Sequence, residues 1–138
     1  MGRIFAIDYG KKRIGIAVTD PEKIIATGLT TISNSEIFQF IDSYLKKEKV
    51  ERFVVGYPKT LSNKNTDATV LIDIFLKKLE KKHQNIPISL VDERFTSKIA
   101  FQTMIDGGLR KKARQNKAMI DKISATIILQ SYLESISY

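Results

Sequence analysis

No cysteine occurs in this chain, and only one histidine does. The first absence excludes a disulfide framework and any thiolate metal site. With a single histidine besides, little remains from which to build a zinc centre. No apolar run approaches the ~20 residues that a membrane-crossing helix needs. The opening Met1-Gly2-Arg3-Ile4-Phe5-Ala6-Ile7-Asp8 has no signal-peptide layout, because its apolar stretch is only four residues long and stops at an acid. The expectation is a cytoplasmic protein without a membrane partner. Acids are outnumbered: Asp plus Glu total 15 against 23 for Lys plus Arg, so the net charge is +8. Such an excess suits a polyanionic partner, nucleic acid before an acidic membrane, although solubility alone would also account for it.

What is present suffices for one globular domain spanning residues 1–138. A chain of 138 residues with 43% hydrophobic and 28% charged side chains can bury its own core and is unlike a disordered segment. Ile4-Phe5-Ala6-Ile7 is continuously apolar, as a strand covered on both faces should be. Tyr9-Gly10-Lys11-Lys12 then turns the chain, and Ile14 to Val18 is a second β-branched run. Asp20-Pro21-Glu22 makes the next turn, and Ile24 to Ile32 reads as a third strand. Connections this short imply an antiparallel meander.

The period then changes to helical. Ser33 with Glu36 fits a capping box. Ile37, Phe40, Ile41, Tyr44 and Leu45 follow on one helical face, and Lys46-Lys47-Glu48-Lys49 closes the helix at its cation-favouring end. Phe53-Val54-Val55 is a fourth strand. A helix from about Thr66 to His83 carries Val70, Leu71, Ile74, Phe75 and Leu79, and Ile88 to Val91 is a fifth strand. Thr96 or Ser97 caps a helix to about Asp106, broken by Gly107-Gly108. A last helix covers roughly Asn116 to Ser135. The order β-β-β-α-β-α-β-α-α predicts an α/β domain on a five-stranded mixed sheet, because strands reached through helices pair in parallel.

That layout singles out three acids. Asp8 ends the first strand, and Glu93, beside Asp92, ends the fifth; ligands of open α/β sheets bind outside such carboxyl ends. Asp121 shares a helical stripe with Ala125, Ile128 and Tyr132, where an acid is costly unless paired, protonated or bound to a metal. Converging carboxylates favour a hard cation, Mg²⁺ or Mn²⁺. Two such ions can activate water and stabilise the leaving oxygen of a phosphodiester. Each acid also has a plainer reading: Asp8 as a turn-former, Glu93 as a partner of Arg94 or Arg110, Asp121 as a salt-bridged residue near a helix start.

The same residues carry a family resemblance. Ile7-Asp8-Tyr9-Gly10-Lys11-Lys12-Arg13-Ile14-Gly15-Ile16-Ala17-Val18-Thr19-Asp20 resembles the opening motif of the YqgF family, also called RuvX. Val54-Val55-Gly56-Tyr57-Pro58 is similar to its V-V-G-x-P strand end, and Val91-Asp92-Glu93-Arg94-Phe95-Thr96-Ser97 to its V-D-E-R-x-T-[ST] segment. Asp121-Lys122-Ile123-Ser124-Ala125, with Ile128-Leu129-Gln130 and Tyr132-Leu133, is similar to its final helix. The four segments occur in family order along the whole chain. The resemblance implies a ribonuclease H-like fold with helices on both faces of the sheet, and a metal-dependent nuclease with Asp8, Glu93 and Asp121 as its acidic triad. The loop Lys59 to Asn65 departs from the family's N-M-D-G-[ST] pattern and has no glycine; Ser124 stands where alanine is usual.

Cations border those acids. Lys11, Lys12 and Arg13 follow Asp8 directly. Arg110, Lys111, Lys112, Arg114, Lys117 and Lys122 put six cations within 13 residues, against one acid, Asp121. A phosphate backbone could be met there, while a solvated loop would look the same in sequence. Tyr9 and Tyr57 stand beside the site turns, where an aromatic ring could stack on a base. The substrate implied is structured nucleic acid, the precursor of 16S ribosomal RNA or branched DNA. Holliday junction resolution would require a two-fold dimer; the sequence leaves monomer and homodimer open. A non-catalytic ribosome-assembly binder is the other reading. Asp8-x-Gly10 followed by Asp20 also resembles a phosphate motif of the actin-like ATPases, which need a second such domain.

Overall fold

Alternation along the first strand organises both layers of the protein. The computed structural model describes residues 2–57, 67–92 and 117–136, without the side chains of 67, 68 and 117–121. In β1 (Arg3–Asp8), Phe5 and Ile7 enter one hydrophobic cluster while Ile4 and Ala6 enter another on the opposite face. Successive strand residues point to opposite faces, so a strand that is apolar throughout must be covered on both.

β2 (Arg13–Thr19) pairs antiparallel with β1 and with β3 (Ala26–Ser33). β4 (Val50–Tyr57) is parallel to β1, and β5 (Ile88–Asp92) is parallel to β4. The sheet order is β3-β2-β1-β4-β5. The parallel strands are reached through α1 (Ile37–Lys47) and α2 (Asp67–Lys82), and α3 (Lys117–Ile136) follows later in the chain. This is the expected α/β arrangement. The expected helix from Thr96 to Asp106 and the loop after Pro58 lie outside the described residues.

One face packs against α1 and α2. Ile37 and Ile41 of α1, with Ile72, Phe75 and Leu79 of α2, join Phe5, Ile7, Ile14, Ile16, Phe53 and Val55 in a single cluster. Phe5 meets the rings of Phe53 and Tyr44 edge-on at 5.8 and 5.3 Å, a favoured aromatic geometry. The buried stripe of α2 differs from the one its periodicity suggests: Val70 and Ile74 are each 48% exposed, whereas Ile72 is 1% exposed. Two overlapping apolar frames exist on this helix, and the rings of Tyr9 and Phe38 against Phe75, at 4.8 and 5.5 Å, accompany the Ile72–Phe75–Leu79 frame.

α3 covers the other face. Ala125, Ile128 and Leu129, all 0% exposed, pack on Ile4, Ala6, Ala17 and Val54. Register aligns Gly28 with Ala17, Ala17 with Ala6, and Ala6 with Val54, so three small residues form a row beneath the helix. A Cβ added at Gly28 would stand 2.9 Å from Lys122 Cγ and 2.9 Å from Thr126 Oγ1. Glycine is required there by the closeness of the helix. Ser124 is buried on the same helix, and its hydroxyl has no hydrogen-bond partner among the described residues. Alanine would fit the site without that unmet group.

Two local expectations are corrected. The third strand begins at Ala26 rather than Ile24, because Asp20 captures the preceding backbone. Its carboxylate accepts the amides of Glu22, Ile24 and Ile25 at 3.2, 2.9 and 2.8 Å, leaving the Ile24 and Ile25 side chains exposed. Ser33 and Glu36 form no capping box: a 3-10 turn spans Asn34–Glu36, and Ser33 makes no side-chain cap bond.

Gly28→Val should destabilise the protein by about 1–3 kcal/mol, as overpacking does, whereas Ser124→Ala should be neutral or stabilising; urea unfolding of both variants checks the α3 contact. The amide of Ile25, foremost among the three bonds, lowers the Asp20 pKa from its ordinary 3.8. A lowered folded-state pKa adds stability above the unfolded value and loses it as pH falls through the folded one. The melting-temperature gap between wild type and Asp20→Ala should therefore be full near neutrality and close at pH values below the ordinary aspartate range.

Candidate functional site

Asp8 is the last residue of β1, two positions after Ala6. The period of a strand puts it on the face of Ala6, which is the α3 face. Its register partner on β2 is Gly15, which carries no side chain. Asp8 is half-buried. Tyr9 to Lys12 then leads the chain into β2.

The fold brings the surroundings of all three predicted acids together. Val91 of β5 and Ala125 of α3 both belong to the cluster around Ala6. Glu93 is two residues beyond Val91, and Asp121 is four before Ala125, within α3. Glu93 itself and the Asp121 side chain lie outside the described residues. Asp92 is separated from this arrangement. It is in register with Tyr57, and Tyr57 packs on the α1–α2 face, where its hydroxyl donates to Asp73 Oδ1 at 3.0 Å. The Asp73 carboxylate at that bond holds the Tyr57 hydroxyl above its usual pKa. Of the pair Asp92 and Glu93, Asp92 thus belongs to the face opposite Asp8.

The predicted cations divide in the same way. Lys11 and Lys12 are exposed and Arg13 is half-buried at the start of β2. Lys122 is half-buried, with its stem over Gly28. Arg110, Lys111, Lys112 and Arg114 lie outside the described residues, as does the side chain of Lys117. The two tyrosines considered for stacking on bases are engaged in the core instead, Tyr9 against Phe75 and Tyr57 against Asp73 and the α2 layer. His83 follows α2 as expected but is not simply exposed: Nε2 lies 3.1 Å from Asp42 Oδ1, and the ring leans on Phe53. A groove of about 530 Å³ lined by Arg3, Val18, Leu29, Phe40 and Tyr44 opens on the α1 face, away from Asp8.

One residue of this region was missed in the sequence. Asn34 donates from Nδ2 to the Gly10 carbonyl at 2.7 Å, and from its backbone N–H to the Lys12 carbonyl at 3.0 Å. Two bonds from one residue hold both halves of the loop after Asp8. The loop is folded tightly: a Cβ at Gly10 would come within 2.2 Å of the Arg13 carbonyl oxygen. The only sequence signal was an asparagine beside a predicted helix start, which reads as a cap.

A family model described as "RuvX: Holliday junction resolvase" matches residues 2–135. The chain belongs to the RuvX family. A relative from Phocaeicola vulgatus is 57% identical over 138 residues, covering 100% of this chain and 99% of that protein, and is named "Putative pre-16S rRNA nuclease". A Christiangramia forsetii relative with the same name is 55% identical, covering 96% of this chain and 98% of that protein. Among solved structures, Thermus thermophilus RuvC in complex with a Holliday junction substrate has a TM-score of 0.59 at 14% identity, covering 99% of this chain and 97% of that one. At that identity the likeness shows a shared fold, ribonuclease H-like, which is the fold that the RuvX motifs imply. Gly10 and Asn34 therefore shape the loop within this RuvX chain's own opening motif.

Asn34→Ala should cost about 0.5–1.5 kcal/mol, the net worth of one hydrogen bond, and speed amide exchange at residues 10–13. Asn34→Asp, which sets an acceptor against the Gly10 carbonyl, should cost at least as much; urea unfolding and hydrogen exchange measure both.

Proposed function

We propose that this RuvX chain, as a single domain of residues 1–138, is a metal-dependent endonuclease that hydrolyses phosphodiester bonds of structured nucleic acid in the cytoplasm, with the 5′ end of the 16S ribosomal RNA precursor as its substrate. The observation that carries this reading is the meeting of Ala6, Val91 and Ala125 in one cluster on the α3 face. In sequence, Asp8 follows Ala6 by two residues, Glu93 follows Val91 by two, and Asp121 precedes Ala125 by four. The names of the relatives from Phocaeicola vulgatus and Christiangramia forsetii support the RNA substrate.

Asp8, Glu93 and Asp121 would hold the cations. The donor set fits the group: three carboxylates and no thiolate favour Mg²⁺ or Mn²⁺, and the single histidine is engaged with Asp42 on the other face. A pair of such ions supplies an activated water and a charge clamp on the leaving oxygen. The chain's own part is to fix the acids on rigid elements and to bring phosphates to them. Lys11, Lys12 and Arg13, with the Arg110–Lys122 stretch, would neutralise the backbone on either side of the scissile bond. Asn34 holds the first of these groups in place.

A second reading, Holliday junction resolution by a two-fold dimer, draws on the description of the family model and on the fold shared with RuvC.

Incubation of the purified protein with labelled precursor RNA and with a four-way DNA junction, in Mg²⁺ or Mn²⁺, decides between them. RNA cleavage should fall at least about 100-fold in Asp8→Asn and Glu93→Gln, since even residues supporting metal ligands are worth 10–100-fold. Junction cutting without RNA cutting would favour the resolvase, and cleavage that survives in both variants would end the nuclease reading. Independently of turnover, divalent ions at a hundredfold excess over Kd should stabilise the wild type by about 2.7 kcal/mol, seen as a raised melting temperature that Asp8→Asn does not show.

A further inference from the structure

We propose that the outer side of the α1–α2 layer is a second phosphate-binding surface, which grips another part of the same folded nucleic acid while the scissile segment lies at Asp8. The inference rests on the nucleic-acid reading above, but not on cleavage.

Lys46 and Lys47 occupy the last turn of α1, and Lys77, Lys78, Lys81 and Lys82 occupy the last turns of α2; all six are exposed. The two helices adjoin, since the tilted rings of Phe38 and Phe75 meet at 5.5 Å and the Lys82 ammonium stands 5.1 Å above the Phe38 ring. Three acids of these helices and their ends have other partners. Asp42 is held by His83 at 3.1 Å, Glu48 by Arg3 at 3.2 Å, and Asp73 accepts the Tyr57 hydroxyl. From residue 77 to residue 82, four lysines face one acid, Glu80. None of the six lysines makes an ion pair with another described residue.

This crowding costs stability. Lys77 with Lys81, and Lys78 with Lys82, are like charges four apart on a helix, a repulsive spacing. The helix C-terminus compensates Lys81 and Lys82 in the last turn, but Lys77 and Lys78 lie a turn earlier. An array of exposed lysines matches a phosphate backbone, which needs many point charges and no apolar contact. A bilayer is the poorer fit. A helix lying on lipid presents a broad apolar stripe outward, whereas Ile72, Phe75 and Leu79 are buried against the sheet and α2 leaves only Val70 and Ile74 as exposed large apolar side chains among the described residues.

The surface lies across the whole sheet from Asp8, because α1 and α2 share the face of Phe5 while Asp8 shares the face of Ala6. One straight short duplex cannot touch both faces. The partner is therefore a nucleic acid with several arms or a long folded path.

Binding is measured by fluorescence anisotropy in EDTA, so that nothing is cut, with the full chain and two probes: a long multi-helix RNA and a short hairpin. In the variant Lys77→Gln/Lys78→Gln/Lys81→Gln/Lys82→Gln, affinity for the long RNA should fall about tenfold or more, and the slope of log affinity against log salt should drop by about 3, at roughly 0.7–0.9 for each of the four lost phosphate contacts. Affinity for the hairpin should stay within about twofold, and the melting temperature should not fall, as repulsive pairs are removed. An unchanged salt slope for the long RNA would overturn the proposal, as would equal losses on both probes. Loss of binding to phosphatidylserine vesicles with RNA binding intact would reassign the surface to membrane. A protein that cuts nothing but shows the slope change would leave this surface standing while the nuclease reading fails.

Discussion

The close seat of α3 on the sheet is the contact on which the rest depends. The row Gly28–Ala17–Ala6 is cut low enough for the helix to approach until Lys122 and Thr126 stand where a side chain on Gly28 would be. That seat buries Ala125, Ile128 and Leu129 and fixes where the first turns of α3 lie relative to the end of β1. A helix held farther off by larger residues would bury less apolar area at about 25 cal/mol per Å². It would also carry Asp121 away from the strand that ends in Asp8.

The two faces of the sheet do different work. The α1–α2 face is thick with aromatics: Phe5, Phe53 and Tyr44 in one group, Tyr9, Phe38 and Phe75 in another. Large rings bury much area each, and this side supplies most of the large buried side chains. The α3 face is built mainly from alanine, glycine and a few aliphatics, with Tyr132 as its one aromatic among the described residues, which gives less burial and a closer seat of helix on sheet. The candidate site belongs to the thin side. Its electrostatics follow the same division, with Asp8 on the α3 face, Asp92 on the other, and the exposed lysines of α1 and α2 behind the aromatic layer.

Much of this was legible in the chain. Unbroken apolar runs at Ile4–Ile7 and Val54–Val55 announce strands covered twice, and helical spacing at Ile37 and Ile41 announces the stripe that α1 buries. Asp8 stood out because an acid ends the most apolar run. Other features were illegible for physical reasons. The α2 helix offers two apolar frames of similar strength, and only the rings of Tyr9 and Phe38 show which is inside. Asn34 looked like part of a helix start because nothing local reveals that the Gly10 carbonyl, 24 residues away in sequence, comes within reach of its amide. Tyr9 and Tyr57 stood beside the site in sequence yet turned into the core, since neighbours along a strand face opposite sides.

By itself the amino-acid sequence determined which segments are strands and helices, which family the chain resembles, and which three acids to watch. Those properties follow from local periodicity and from residues read one segment at a time. The tertiary structure decided which of them share a side: Asp8 with α3, Asp92 with α2, Asn34 with the loop after Asp8, and six exposed lysines that make no ion pair with another described residue. Such facts depend on strand register and on the height at which a helix rests on a sheet. Both are set by contacts between residues far apart in the chain, which no window of sequence contains.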